Sequence, residues 1–154
     1  MITQFFKRLG EIRGTTRVAI FLVLLVGITA NAMASEITLY NSDGEATAYI
    51  DTDDEMTIYL WDGKPVAYLD GKSIYGFNGE HLGWFEHGVI WDHDGNCVGF
   101  IRGAVSILTR LEPLKGLQEL QPLRSLEELE PLEPLHSRLW SDMPLEIFLA
   151  EGQE

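Results

Sequence analysis

Sulfur and positive charge are both scarce in this chain of 154 residues, which has one cysteine, Cys97, and 11 Lys and Arg against 24 Asp and Glu. A single cysteine excludes an internal disulfide, leaving Cys97 as a small core residue or as a route to an intermolecular bridge. The formal charge of −13 repels nucleic acid and anionic membrane, so no nucleic-acid partner is expected. Long apolar runs are missing too. The uncharged stretch "VAIFLVLLVGITA", residues 18–30, has 13 residues, short of the ~20 that span a bilayer. Gly-x-Ser-x-Gly, His-Glu-x-x-His and a glycine-rich phosphate loop are all absent, so no catalytic residue, metal or cofactor is assigned and a non-enzymatic protein is expected.

What stands at the N-terminus has the build of a secretory signal peptide. Lys7, Arg8, Arg13 and Arg17 precede the uncharged stretch, and small residues follow at "ANAMAS", which places a cut after Ala34. Export to the periplasm or the exterior is the resulting expectation, with membrane contact only in transit through residues 1–34. Removing those residues takes away four basic groups and Glu11, leaving 7 basic and 23 acidic residues, a formal charge of −16.

The mature chain opens with a tandem repeat. Aligned on Gly44, Gly63, Gly79 and Gly95, the stretches "TLYNSDGEATAYID", "TIYLWDGKPVAYLD", "SIYGFNGEHLGWFE" and "VIWDHDGNCVGFIR" superpose, with glycines 19, 16 and 16 residues apart. The pairs Asp43-Gly44, Asp62-Gly63, Asn78-Gly79 and Asp94-Gly95 suit type I′ hairpin turns. Two-residue loops would set Tyr40, Tyr59, Tyr75 and Trp91 opposite Thr47, Val66, Leu82 and Val98. They would set Thr38, Thr57, Ser73 and Val89 opposite Tyr49, Tyr68, Trp84 and Phe100. Side-chain alternation puts these on one face. Leu39, Ile58, Ile74, Ile90, Ile50, Leu69, Phe85 and Ile101 fall on the other. Both faces are apolar, so the hairpins must pack together and the second face needs a cover. Beside that face Ala48, Ala67, Gly83 and Gly99 leave room for a close approach.

A stripe follows in "LTRLEPLKGLQELQPLRSLEELEPLEPL", where leucine recurs at every third position from Leu108 to Leu135. On an α-helix this spacing drifts about 60° per step, and Pro113, Pro122, Pro131 and Pro134 would break the ladder. A coiled coil needs 3.5-residue spacing. A polyproline II strand has three residues per turn, so all the leucines line one edge, turned onto the hairpins as the cover their second face needs, with Glu, Gln, Lys and Arg pointing out. At ~3.1 Å per residue the segment would reach on the order of 85 Å, so it must bend around the hairpins or cross to neighbouring subunits. "WSDMPLEIFLAE" then reads as a short helix, with Ser141 or Asp142 as cap and Leu145, Ile147, Phe148 and Leu149 as its packing face.

Repeated "DG...AY" and "NG...GW" units, the "EPLEPL" run and the closing "RLWSDMPLEIFL" make residues 36–149 resemble the four-fold beta flower family, bacterial proteins with no assigned activity. The resemblance implies four petals around a pseudo-four-fold axis and no catalytic residues. The expected fold class is therefore all-β, four tandem hairpins followed by an extended Leu-every-third segment and a short terminal helix. Its parts are 1–34 signal peptide, 35–104 hairpin domain, 105–136 Leu/Pro-rich segment packing on the hairpins, and 137–154 helix and tail.

Three functional readings follow. An interaction module, binding a protein partner or itself through the leucine edge, comes first. A glycan or peptidoglycan binder would use Trp61 and Phe77 beside the turns together with Trp84, since exposed rings stack on sugars; the alternative is that these rings pack between petals. A metal-dependent enzyme would need His81, His87 and His93, which occupy different points of two repeats rather than facing cross-strand positions. "DTDDE" and "DHDGN" lack the glutamate that completes a calcium loop.

Overall fold

Each Asx-Gly pair turns the chain, but through a three-residue loop. In the first hairpin Gly44 N–H donates to Asn41 O at 2.9 Å, and Asn41 N–H donates to Glu45 O at 3.0 Å; the same two bonds join Gly63, Leu60 and Lys64, then Gly79, Gly76 and Glu80, then Gly95, Asp92 and Asn96. Only the glycine takes the left-handed conformation, with φ of 73°, 97°, 90° and 77° in the four copies. A type I′ turn requires positive φ at the residue before it as well, and Asp43, Asp62, Asn78 and Asp94 do not have it, so the expected two-residue turn is corrected to a loop closed by a left-handed glycine. The computed structural model describes residues 35–153; the expected signal peptide and its cut after Ala34 lie outside the described residues.

The four hairpins give eight strands: β1 (Glu36–Tyr40), β2 (Ala46–Asp51), β3 (Thr57–Leu60), β4 (Pro65–Asp70), β5 (Ser73–Gly76), β6 (His81–Glu86), β7 (Val89–Trp91) and β8 (Cys97–Phe100). All neighbours are antiparallel, and β8 pairs with β1 through Phe100 and Tyr40, closing a barrel. Closure removes the edges that an open sheet of repeated hairpins would expose.

Away from the turns the register is the expected one, with Thr38 opposite Tyr49, Thr57 opposite Tyr68, Ser73 opposite Trp84 and Val89 opposite Phe100. Next to the turns it slips by one. Tyr40 faces Ala46, Tyr59 faces Pro65, Tyr75 faces His81 and Trp91 faces Cys97. Thr47, Val66, Leu82 and Val98 are therefore bulge residues rather than partners of the aromatics. A bulge switches the direction of a side chain. Val66, Leu82 and Val98 accordingly join the aliphatic cluster of Leu39, Ile50, Ile58, Ile74 and Ile90.

That aliphatic face is plugged by the C-terminal helix α1 (Leu145–Ala150), whose Leu145, Phe148 and Leu149 are buried in the same cluster. A Cβ on Gly99 would lie 2.8 Å from Leu145 Cδ2, and one on Gly83 2.9 Å from Phe148 Cζ, so the missing side chains admit the plug. Ser141 and Asp142 do not cap α1. Pro144 holds the N-cap position with no side-chain bond, while Ser141 Oγ accepts from Met143 N–H at 3.3 Å. Ile147 is 56% exposed and drops out of the packing face, because four residues separate Leu145 from Leu149 and Ile147 lies on the opposite side.

Residues 108–137 contain neither helix nor strand and wrap the barrel as a belt. Backbone N–H groups of Arg110, Glu119, Glu128 and Ser137 donate at 2.7–2.9 Å to the carbonyls of Gly44, Gly63, Gly79 and Gly95, one bond per hairpin in chain order. Gly116 and Ser125 add bonds of 2.9 and 2.8 Å to Trp61 O and Phe77 O. A Cβ on Gly63 would fall inside the Leu117 carbonyl oxygen, so only glycine lets the belt sit this close to the turn. The belt thus bends around the hairpins of its own chain. It has a nine-residue register, three triplets per hairpin, laid over the three-residue one. Prolines 113, 122 and 131 sit in the triplet where no carbonyl is offered, so the missing N–H costs nothing.

Candidate functional site

The orientation of the belt is the reverse of the expected one. All ten leucines from Leu108 to Leu135 are 90–99% exposed, and the residues just after them turn inward. Glu112 accepts from Tyr40 Oη at 2.6 Å, Gln121 from Thr57 Oγ1 at 2.9 Å, Glu127 from Tyr68 Oη at 3.0 Å and Glu130 from Trp84 Nε1 at 2.8 Å. The cause is the outer face of the barrel. Its aromatic rows carry hydroxyls and an indole N–H, and leaving such a group buried and unpaired costs about 1–3 kcal/mol. Leucines turned inward would orphan them. The expected place of the stripe, as cover of the aliphatic face, is filled by α1 instead; on the aromatic face Glu and Gln satisfy the polar tips while their stems cover the rings.

Four aromatic seams result, one between each pair of neighbouring hairpins. Tyr49 stacks on Tyr59 at 5.5 Å, Tyr68 on Tyr75 at 6.1 Å and Tyr40 on Phe100 at 5.9 Å, while Trp84 lies opposite Trp91. Each seam has a lid: Lys115 Nζ lies 4.2 Å from the Tyr49 ring centre, Arg124 3.9 Å from Tyr68 and Arg102 5.8 Å from Tyr40, and His136 stacks flat on Trp91 at 4.2 Å. Ion pairs hold the lids, Lys115 to Glu36, Arg124 to Glu55 and Arg102 to Glu112. Burial pushes Tyr59 and Tyr68 well above the usual phenol range, and acceptance by Asp54 and Glu127 adds to it.

Of the two readings of the rings considered for sugar binding, the structure fits the packing between petals. Phe77 is 3% exposed and Trp84 1%, both packed in the seams. Trp61 is half-buried, edge-on to Tyr49 at 5.9 Å, and donates through Nε1 to Pro113 O at 3.2 Å. The three do not form an open stacking platform. The belt, which the sequence placed elsewhere, covers them.

Of the three histidines, His81 and His93 meet, Nδ1 to Nε2 at 2.9 Å. Burial, then the neighbouring His93, holds His81 below the usual imidazole range, so this buried ring stays neutral. His87 is exposed, and among the described residues the three do not converge at metal-ligand distances. Glu86, Glu133 and His136 do converge, but Lys72 already ion-pairs with both glutamates there.

Among the described residues are two surface cavities of interest. One of about 570 Å³ lies between the fourth hairpin and α1, with Asp94, Asp142 and His93 at its rim and Leu82 and Phe148 at its floor. The other, of about 370 Å³, lies where the belt begins and ends, lined by Trp91, Cys97, Ile107, Arg138 and Trp140 among others. Cys97 is buried, and burial pushes its thiol up to about 12, so it is the small core residue rather than a reactive sulfur.

A family model described as 4-fold beta flower protein matches residues 37–149, most of the chain. No curated protein and no solved structure matches.

Proposed function

This chain belongs to the 4-fold beta flower family, and from that premise we propose that it is an exported, non-enzymatic interaction module that self-associates through its leucine belt. One observation carries the reading: ten leucines in one register, each 90–99% exposed. Burying a leucine contributes roughly 1.5–3 kcal/mol, so ten forgo about 15–30 kcal/mol that folding of the single chain leaves unused. Association costs about 4–15 kcal/mol, so burying the whole stripe matches or exceeds it. The charge does not oppose this locally, because the belt's carboxylates at 112, 127, 130 and 133 face the barrel and are bonded there. A second copy offers the same comb of leucines, and two combs with equal spacing interdigitate. A polyproline II course for the belt, with its three-residue repeat, is part of this reading, as is export directed by residues 1–34.

Sedimentation of the protein at micromolar concentration tests it. Oligomers are expected. Leu114→Ser, Leu120→Ser and Leu126→Ser together should convert them to monomers without lowering the unfolding midpoint, since these side chains are 95–99% exposed. A parent that sediments as a monomer up to about 100 μM, an affinity too weak for this much buried leucine, would refute the reading.

A further inference from the structure

The belt follows a rule at each hairpin, and the rule fails once. Four residues after the leucine whose carbonyl touches the turn glycine, the belt sets an acceptor on the aromatic face: Gln121 after Leu117, on Thr57, and Glu130 after Leu126, on Trp84. At the fourth hairpin the corresponding position, four after Leu135, is Leu139, which is 68% exposed and places no acceptor there. The chain instead leaves the rim at Trp140, which pairs with Cys97 and turns its edge to Phe100 at 6.0 Å. The strand residue below changes in step. Val89 stands where the second and third hairpins have Thr57 and Ser73. The space that the belt fills elsewhere is, at this hairpin, the cavity of about 370 Å³.

The walls of that space are of two kinds. Val89, Trp91, Val105, Ile107 and Trp140 make it apolar and aromatic, and Arg138 and Ser106 stand at its edge. Among the described residues Arg138 has no hydrogen bond and no ion pair, although acidic groups outnumber basic ones more than threefold in residues 35–154; Lys72, Arg102, Arg110, Lys115 and Arg124 are all paired, and of the seven basic side chains only Lys64, at the second hairpin turn, shares its lack of a partner. An unpaired guanidinium beside two indoles is matched by a carboxylate on an apolar body, the same combination of acidic head and greasy stem that Glu130 presents at the third hairpin.

We infer that this cleft is a binding site for a small organic acid with an apolar or aromatic body, which takes the place of the belt's missing turn. The ligand's carboxylate pairs with Arg138, and its body lies between Trp91 and Trp140. Binding is non-covalent, because Cys97 in the floor is buried and protonated. The site does not depend on association through the leucines.

Saturation-transfer NMR on the protein with 3-phenylpropionate, beside 3-phenylpropionamide, tests this, with tryptophan fluorescence as a second readout. The acid is expected to bind about two- to fivefold more tightly than the amide, the scale of one solvent-exposed ion pair. Arg138→Gln, at an exposed and unpaired position, should leave folding unchanged and erase that preference. Trp140→Phe should weaken acid and amide alike. No transfer from the acid at millimolar concentration overturns the inference, and so does a preference for the acid that survives Arg138→Gln.

Discussion

Deleting the triplet Leu120-Gln121-Pro122 separates the two periods of the belt. Every remaining leucine keeps its three-residue phase, but Ser125, Glu128 and Ser137 arrive three residues early at Phe77, Gly79 and Gly95. After the slip Glu128 can offer its N–H to Phe77 O, but Pro131, which has none, stands at Gly79 O, and the deleted Gln121 no longer bonds Thr57 Oγ1 or Asp54; three hydrogen bonds are lost at about 1 kcal/mol each, roughly 3 kcal/mol in all. Glu127 replaces Arg124 beside the Tyr68 ring, so the cation lid is lost too and this is a lower bound. With a urea slope of about 2 kcal/mol per molar, the midpoint should fall by at least about 1.5 M. Pro122→Ala is the control. It restores an N–H where no carbonyl is offered and should move stability by no more than about 0.5 kcal/mol. Urea titration followed by tryptophan fluorescence reads both. If the triplet deletion unfolds at the parent's midpoint, the belt can slide, the nine-residue register has no energetic meaning, and the docking argued from it is wrong.

Alkali should unfold the protein sharply. Burial is the leading cause that pushes Tyr40, Tyr49, Tyr59, Tyr68 and Tyr75 above their usual 10.0. Above pH 10 the unfolded chain releases protons that the folded chain keeps, so stability, intact below that pH, declines at up to about 1.4 kcal/mol per pH unit for each tyrosine. Tyrosinate absorbance at 295 nm and loss of circular dichroism should rise together, and gradual tyrosinate formation around pH 10 in a still folded protein would contradict the burial. Trp84→Ala, at a residue 1% exposed, is expected to cost about 3–5 kcal/mol of stability in thermal unfolding, whereas an open sugar platform would lose binding and keep its stability.

Much of the barrel was legible in the chain because repeats and turns are local. Four aligned glycines, alternation at period two and the pairing of Thr57 with Tyr68 or Val89 with Phe100 follow from covalent geometry and short-range hydrogen bonding. The loop type escaped, since Asp-Gly suits a two-residue turn and a three-residue loop alike, and the added bulge at Val66 or Leu82 turned those residues to the inner face. The nine-residue register was present in the spacing of Pro113, Pro122 and Pro131, a signal masked by the louder leucine period.

Sequence by itself determined that leucine recurs at every third position of the belt, because a three-residue repeat needs no partner to exist. Which residues of each triplet face the barrel was decided only in three dimensions. The aromatic face of the hairpins presents the Tyr40, Thr57 and Tyr68 hydroxyls and the Trp84 N–H to whatever covers it, and those donors select carboxylates and amides over leucine. Tertiary structure also decided where the wrap stops. A belt that circles four hairpins with the two ends of one chain leaves its entry and exit side by side, and the cleft beside Arg138 lies between them.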